Sequence, residues 1–226
     1  MNRLILSSCT HDAMSYHGST RKTGILLAAA LAVPFTAAAQ DLAPSPSQVR
    51  PLLVGAAVPD SPLLAMDGKP VTLKAAFAGK PGVVIFYRGG WCPYCNAHLR
   101  EVKDLQKDLA KLGYAVVAIT PDRPEELRKT MTKNALPYAL LSDSKSESAR
   151  AFGVAYQVDA ETLKKLDGYG IDLRKASGQE TAWLPVPSVF LVGRDGAIKF
   201  VYANPDYKVR LKAPVLLAAA KAALEN

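Results

Sequence analysis

The stretch Gly82-Val83-Val84-Ile85-Phe86-Tyr87-Arg88-Gly89-Gly90-Trp91-Cys92-Pro93-Tyr94-Cys95 decides the architecture. Its first six residues form an unbroken apolar run of strand length, the pattern of a strand covered on both faces. Arg88-Gly89-Gly90-Trp91 reads as a glycine-rich turn. From Pro93 to Leu112 the period changes. Leu99, Val102, Leu105, Leu109 and Leu112 recur at spacings of three and four, giving one apolar stripe with charged residues opposite. Gly113 closes that helix. A pair of cysteines therefore sits where a buried strand turns into a helix.

That position has chemical consequences. A thiol attacks as its thiolate, and a free cysteine ionises only near pH ~8.5. The first turn of a helix offers unpaired N–H groups and the positive end of the dipole, both of which favour a thiolate. Pro93 fits the first helical turn because its missing N–H would have no partner there. Two intervening residues let both sulfurs meet in one turn, so one can attack and the other resolve. Cys92 and Cys95 are the candidate catalytic pair, cycling between dithiol and a Cys92–Cys95 disulfide. Arg88 is near enough in sequence to add positive charge, and Trp91 can pack over the sulfurs. Tyr87 and Tyr94 are open between core and site. His98, one turn on, can polarise a thiol, but a helix-surface histidine is the commoner outcome.

Other uses of the cysteines fit less well. Zinc takes about four ligands, more than this neighbourhood offers. Covalent haem needs His directly after the second cysteine, where the chain has Asn96. A purely structural disulfide would close a very small loop and stabilise little. No metal and no cofactor is expected.

Elsewhere the chain alternates. Tyr114 to Ile119 reads as a second buried strand. Pro124-Glu125-Glu126-Leu127 opens a helix, with proline first and acids in the opening turn. Val71 to Leu73 and Ala139 to Leu141 read as short strands, and Glu147 to Phe152 as a short helix. Residues 154–184 read as an irregular insertion, helical only over Asp159 to Leu166. Ser188 to Val192, the turn Arg194-Asp195-Gly196 and Ile198 to Tyr202 form a hairpin. Pro214 to Leu224 is a terminal helix. Strand–helix alternation ending in a hairpin and a helix predicts an α/β fold with a central mixed sheet and helices on both faces. Pro187, at the head of a strand, removes a ladder donor. A cis Val186–Pro187 bond would suit a tight turn beside a substrate groove, a trans bond a plain strand start.

The N-terminus reads as a leader. Arg21-Lys22 precede an apolar run from Gly24 to Phe35, followed by Thr36-Ala37-Ala38-Ala39-Gln40. A basic flank, a short apolar core and an Ala-x-Ala end describe a secretory signal peptide over residues 1–39, with Met14 as a second candidate start. Export to the periplasm is expected, an uncleaved anchor being the alternative. No stable membrane insertion is expected after cleavage, since spanning takes about 20 apolar residues. Cleavage removes Cys9, leaving Cys92 and Cys95 as the mature cysteines. Residues 40–50 are polar and Pro/Ser-rich and read as a flexible linker, and 51–226 as one domain. Of the 226 residues, 49% are hydrophobic and 21% charged, enough apolar content for a core and too little charge for a disordered chain. The net charge is +8, but no Lys/Arg cluster with interleaved aromatics appears, so nucleic acid is not the expected partner.

Phe86 to Asn96 resembles the peroxiredoxin-like branch of the alkyl hydroperoxide reductase/thiol-specific antioxidant family, within the thioredoxin-like superfamily. Val117-Ala118-Ile119-Thr120-Pro121, Leu140-Leu141-Ser142-Asp143, Ala151-Phe152-Gly153-Val154, Pro187 to Gly196 and Asn204-Pro205-Asp206-Tyr207 support it. The resemblance spans about 55–224. It implies a thioredoxin-like fold and reduction of hydroperoxides by a dithiol–disulfide cycle, recharged by a thiol donor such as thioredoxin. In the family's Pro-x-x-x-Thr-x-x-Cys pattern, the peroxide-attacking position falls on Cys95, the Thr position on Cys92 and the Pro position on Arg88. The family's later Arg position falls on Pro187. Trp91-Cys92 and Pro187 instead resemble thioredoxin, which would make Cys92 the attacking thiol and Cys95 the resolving one. Two other readings stand beside the peroxidase. One is a thiol–disulfide oxidoreductase acting on exported proteins by mixed-disulfide exchange, with a groove beside Pro187. The other is a non-catalytic binding module on the same fold.

Overall fold

The computed structural model describes residues 41–225. The expected leader, with Cys9 and Met14, lies outside the described residues. Seven strands form one mixed sheet in the order β2-β1-β5-β4-β3-β8-β9. β3 (Gly82–Phe86), β4 (Ala115–Thr120) and β5 (Ala139–Ser142) run parallel. β8 (Ser188–Val192) pairs antiparallel with β3, and β9 (Ile198–Ala203) with β8. At the other edge β1 (Pro62–Leu64) and β2 (Pro70–Thr72) form a short antiparallel ribbon.

The continuous apolar run of β3 has its cause in the layers around it. Side chains alternate across a strand. Val84 and Phe86 enter one core with Leu73 and Phe77 of α1 (Leu73–Phe77), Ala149 of α4 (Glu147–Ala151), Phe152 and Phe190. Val83, Ile85 and Tyr87 enter the other, with Leu99 and Val102 of α2 (Pro93–Lys111), Leu127 of α3 (Pro124–Asn134) and Leu216 of α7 (Ala213–Ala222). With helices on both faces, no residue of β3 can be polar without a partner. The expected stripe of α2 holds. Leu99, Val102 and Leu109 are buried, and Leu105 and Leu112 pack against the same core. Gly113 leaves the helix at φ +86°, a backbone conformation glycine adopts at no steric cost.

Three readings change. Residues 154–184 are ordered as β6 (Ala155–Gln157), α5 (Ala160–Gly168), α6 (Leu173–Ser177) and β7 (Trp183–Pro185), with β6 and β7 paired antiparallel. Asp159 and Asp172 cap the two helices through Thr162 N–H and Lys175 N–H at 2.7 and 2.9 Å. The strands are three residues long, too short for an alternation to show. The flexible linker expected over 40–50 is, from Asp41 on, laid against the domain. Ala43 bridges to Tyr156, giving its N–H to the Ala155 carbonyl and taking that of Gln157. Leu42 and Val49 pack on the core beneath it, so the open edge of β6 and a little apolar area outweigh the segment's polar composition. Finally, the Val186–Pro187 bond is trans, since no cis peptide occurs among the described residues. Val186 donates to the Val154 carbonyl and the Pro187 carbonyl accepts from Asn204, which satisfies a plain strand start. Among the described residues no helix is long and apolar enough to cross a membrane.

Candidate active site

Cys92 is the N-cap of α2, with Pro93 in the first turn and Asn96 N–H returning to the Cys92 carbonyl at 3.1 Å. Two side chains hold the turn before it, one of them itself fixed by a short hydrogen-bond chain. Gly90 N–H donates to Asp122 Oδ2 at 2.7 Å, and Asn96 Nδ2 donates to the Gly90 carbonyl at 2.7 Å. Asn134 Nδ2 donates to Asn96 Oδ1 at 2.9 Å, and Arg100 donates to Asn134 Oδ1 at 2.9 Å. A side chain on Gly90 would overlap Thr130, so the close approach of turn and α3 requires glycine. Burial lifts the Asp122 carboxyl to about 7, against the opposing pull of the Gly90 N–H.

Both sulfurs are inside. Cys92 is 1% exposed and Cys95 fully buried, and both are free thiols, the reduced form of the expected couple. They are inequivalent. The Cys92 pKa falls to about 6, chiefly because the Cys95 thiol hydrogen-bonds to it, with the Cys95 N–H and the Arg88 and Arg210 guanidiniums helping. The Cys95 thiol is pushed well up, first by burial and then by the adjacent Cys92. Two negative charges in one buried turn repel, so the pair gives up its first proton as a unit and the charge rests on Cys92.

Arg210 is the residue that sequence reasoning missed. It reaches the site from the loop after β9, and its Nη2 donates to Cys95 Sγ at 3.4 Å. Its Nη1 donates to the carbonyls of Tyr207 and Val209, which fixes the guanidinium at 9% exposure. The same loop brings Tyr207 over the site. Arg88 lies 4.2 Å from the Tyr207 ring centre and 5.0 Å from that of Trp91, and Tyr207 meets Tyr94 edge-on at 5.8 Å. The signal for Arg210 was its position three residues beyond the segment Asn204 to Tyr207.

The structure thus brings Arg88 and Trp91 together with Cys92, on a cleft of about 400 Å³ walled also by Tyr94, Tyr169 and Tyr207. Pro187 does not line it, so the expected groove beside Pro187 is replaced by one between the α2 start and the α5–α6 segment. His98 is buried rather than on the helix surface, because Leu211 and its neighbours close over it. Burial lowers its pKa to about 4, helped by Arg210. It is neutral at pH 7 and adds no charge to the thiols.

A mixed sheet clasped by helices, with a dithiol at the N-terminus of the helix after its central strand, defines a thioredoxin-like redox protein. The comparisons agree. The family profile described as AhpC/TSA family matches residues 54–201, and the chain belongs to that family. It is 35% identical over 106 residues to a putative peroxiredoxin bcp of Haemophilus influenzae, covering 47% of this chain and 68% of that protein. It is 29% identical over 150 residues to a chloroplastic peroxiredoxin Q of Gentiana triflora, covering 66% of this chain and 58% of the relative. The peroxidoxin BcpB structure from Mycobacterium tuberculosis superposes with a TM-score of 0.58 at 22% identity, over 75% of this chain and 96% of that one. That likeness is one of fold.

Proposed function

We propose that the chain is a thiol-dependent peroxidase in which Cys92 attacks the hydroperoxide and Cys95 resolves. One observation carries the assignment: Cys92 holds the pair's first negative charge and is the sulfur that lines the cleft, while Cys95 lies beneath it. The Cys92 thiolate takes the terminal oxygen of ROOH and becomes a sulfenic acid, and RO⁻ leaves and is protonated to ROH. The Cys95 thiol then condenses with the sulfenic acid, forming the disulfide and releasing water. Arg88 and Arg210 put positive charge where the departing alkoxide develops its own, from chain positions other than the family's usual Arg. A thiol donor of the thioredoxin type, as in the family, returns the pair to the dithiol.

Mixed-disulfide exchange with exported proteins is the weaker reading, because the chain belongs to the AhpC/TSA family and the relatives it matches are named peroxiredoxins. The basic and apolar leader ending in Ala-x-Ala supports export to the periplasm. N-terminal sequencing of the exported chain should begin at Gln40, and retention of the preceding residues would contradict cleavage.

Stopped-flow loss of thiol after mixing the reduced protein with hydrogen peroxide or an organic hydroperoxide tests the peroxidase. The rate should exceed that of a free thiol by at least ~10²-fold at neutral pH. Only the thiolate reacts, so the rate should fall as pH drops through about 6 and level off above it. A second-order rate no faster than a free thiol's would overturn the reading.

A further inference from the structure

We propose that Tyr156 is a positioning residue of the redox pair, its hydroxyl holding the Arg88 guanidinium where the positive charge faces Cys92; this rests on the attacking role given to Cys92 above. Arg88 is 5% exposed, yet it forms no ion pair with a carboxylate among the described residues. Its Nε has no hydrogen-bond partner there either. Two of its contacts are ring faces, Tyr207 at 4.2 Å and Trp91 at 5.0 Å, and attraction to a ring face is broad in direction. The directional contact is the hydrogen bond to the Tyr156 hydroxyl. Arg88 stands where the family pattern has proline, so this contact has no counterpart in that pattern. Tyr156 can act as an anchor because its own backbone is held on both sides. It is the middle residue of β6, opposite Leu184 of β7 and bridged to Ala43 of the N-terminal segment. Ala43 bonds to the residues flanking it, giving its N–H to the Ala155 carbonyl at 3.0 Å and accepting that of Gln157 at 2.8 Å. The Tyr156 side chain is 6% exposed, in the core that also holds Phe86 and Phe152.

A free arginine side chain has many rotamers. Arg88 borders a cleft of about 400 Å³, into which it can turn once released. Coulomb attraction falls with distance, so an Arg88 that has lost the Tyr156 oxygen stabilises the Cys92 thiolate less. Other groups act on the same sulfur. The Cys95 thiol does most to lower its pKa, burial opposes, and Arg210 assists beside Arg88. The buried Asp122 carboxyl faces Cys92 as well and works against the thiolate once ionised. The Tyr156 hydroxyl is itself faced by Arg88 and Asp159. Removing that hydroxyl leaves all these other groups in place, so its effect on Cys92 passes through Arg88.

The test titrates the reduced full chain by ultraviolet absorbance of thiolate, as wild type, Tyr156→Phe, Arg88→Met and the double variant. Tyr156→Phe keeps the buried ring and removes only the oxygen. Its Cys92 ionisation should move up by about 0.5–1 unit. Thiol loss to hydrogen peroxide should slow about threefold at pH 6 and less at pH 8, because the thiolate fraction sets the difference. Arg88→Met should raise the ionisation at least as far, and adding Tyr156→Phe to it should shift nothing further. A residue that only supports the fold would lower the urea midpoint and leave the ionisation where it is. An unmoved ionisation in Tyr156→Phe overturns the proposal, and so does a Tyr156→Phe shift that persists undiminished in the Arg88→Met background. The titration needs no peroxide. A wild-type rate no faster than a free thiol's would therefore end the peroxidase reading, while the titration alone still decides the role of Tyr156.

Discussion

Cys92→Ser is expected to lower peroxide consumption at least ~10³-fold, to the level of uncatalysed thiol chemistry, while Cys95→Ser abolishes turnover but keeps the first reaction. The two variants separate because the sulfurs carry different burdens. Cys92 is the thiolate at neutral pH and borders the cleft. Without it the chain retains a fully buried thiol with a raised pKa, which is a poor nucleophile. Without Cys95 the Cys92 sulfenic acid still forms but has no neighbour to condense with, so it accumulates and can be trapped by a 1,3-diketone reagent. One equivalent of peroxide should therefore label Cys95→Ser at Cys92 and leave Cys92→Ser unlabelled. The reverse pattern would return the attacking role to Cys95, the position that the family's sequence pattern assigns it.

Phe190→Ala is expected to destabilise the fold by about 3–5 kcal/mol. Phe190, on β8 between β3 and the edge strand β9, is fully buried. Its ring meets Phe152 at 4.9 Å and 66°, and Phe86 at 6.1 Å and 86°, an edge-to-face cluster at the centre of one core. Three rings from β3, β8 and the end of α4 fill space that no neighbouring flexible side chain can reoccupy, so truncation leaves a cavity. Urea denaturation should show a lower midpoint at unchanged slope. A loss below about 1 kcal/mol would mean that the cluster collapses onto the gap.

The fold was legible where one element alone carried a period. The apolar run of β3, the stripe on α2 and the Arg194-Asp195-Gly196 turn each contain their own signal. β6, β7 and α6 do not, because three- to five-residue elements hold less than one repeat of either pattern. The linker reading failed because composition reports what a segment prefers alone, not that an open strand edge waits for Ala43. In the site, Cys92, Cys95, Arg88 and Trp91 were found because they lie within one turn. Arg210 was not, since it meets Cys95 across 115 positions of sequence. His98 misled for the same reason: the loop that buries it comes from the far end of the chain. The division of labour between the cysteines was left open by sequence, because it depends on which sulfur borders the cleft and which lies beneath.

Ultraviolet absorbance of thiolate against pH, taken on the reduced wild type and on both serine variants, tests that division most directly. The wild type should ionise first at about 6. Cys95→Ser should keep that ionisation within about one unit, since the serine hydroxyl can still donate to the thiolate. Cys92→Ser should lose it and stay protonated through neutral pH. An ionisation near 6 that survives in Cys92→Ser and vanishes from Cys95→Ser would put the attacking thiolate on Cys95 and contradict the assignment.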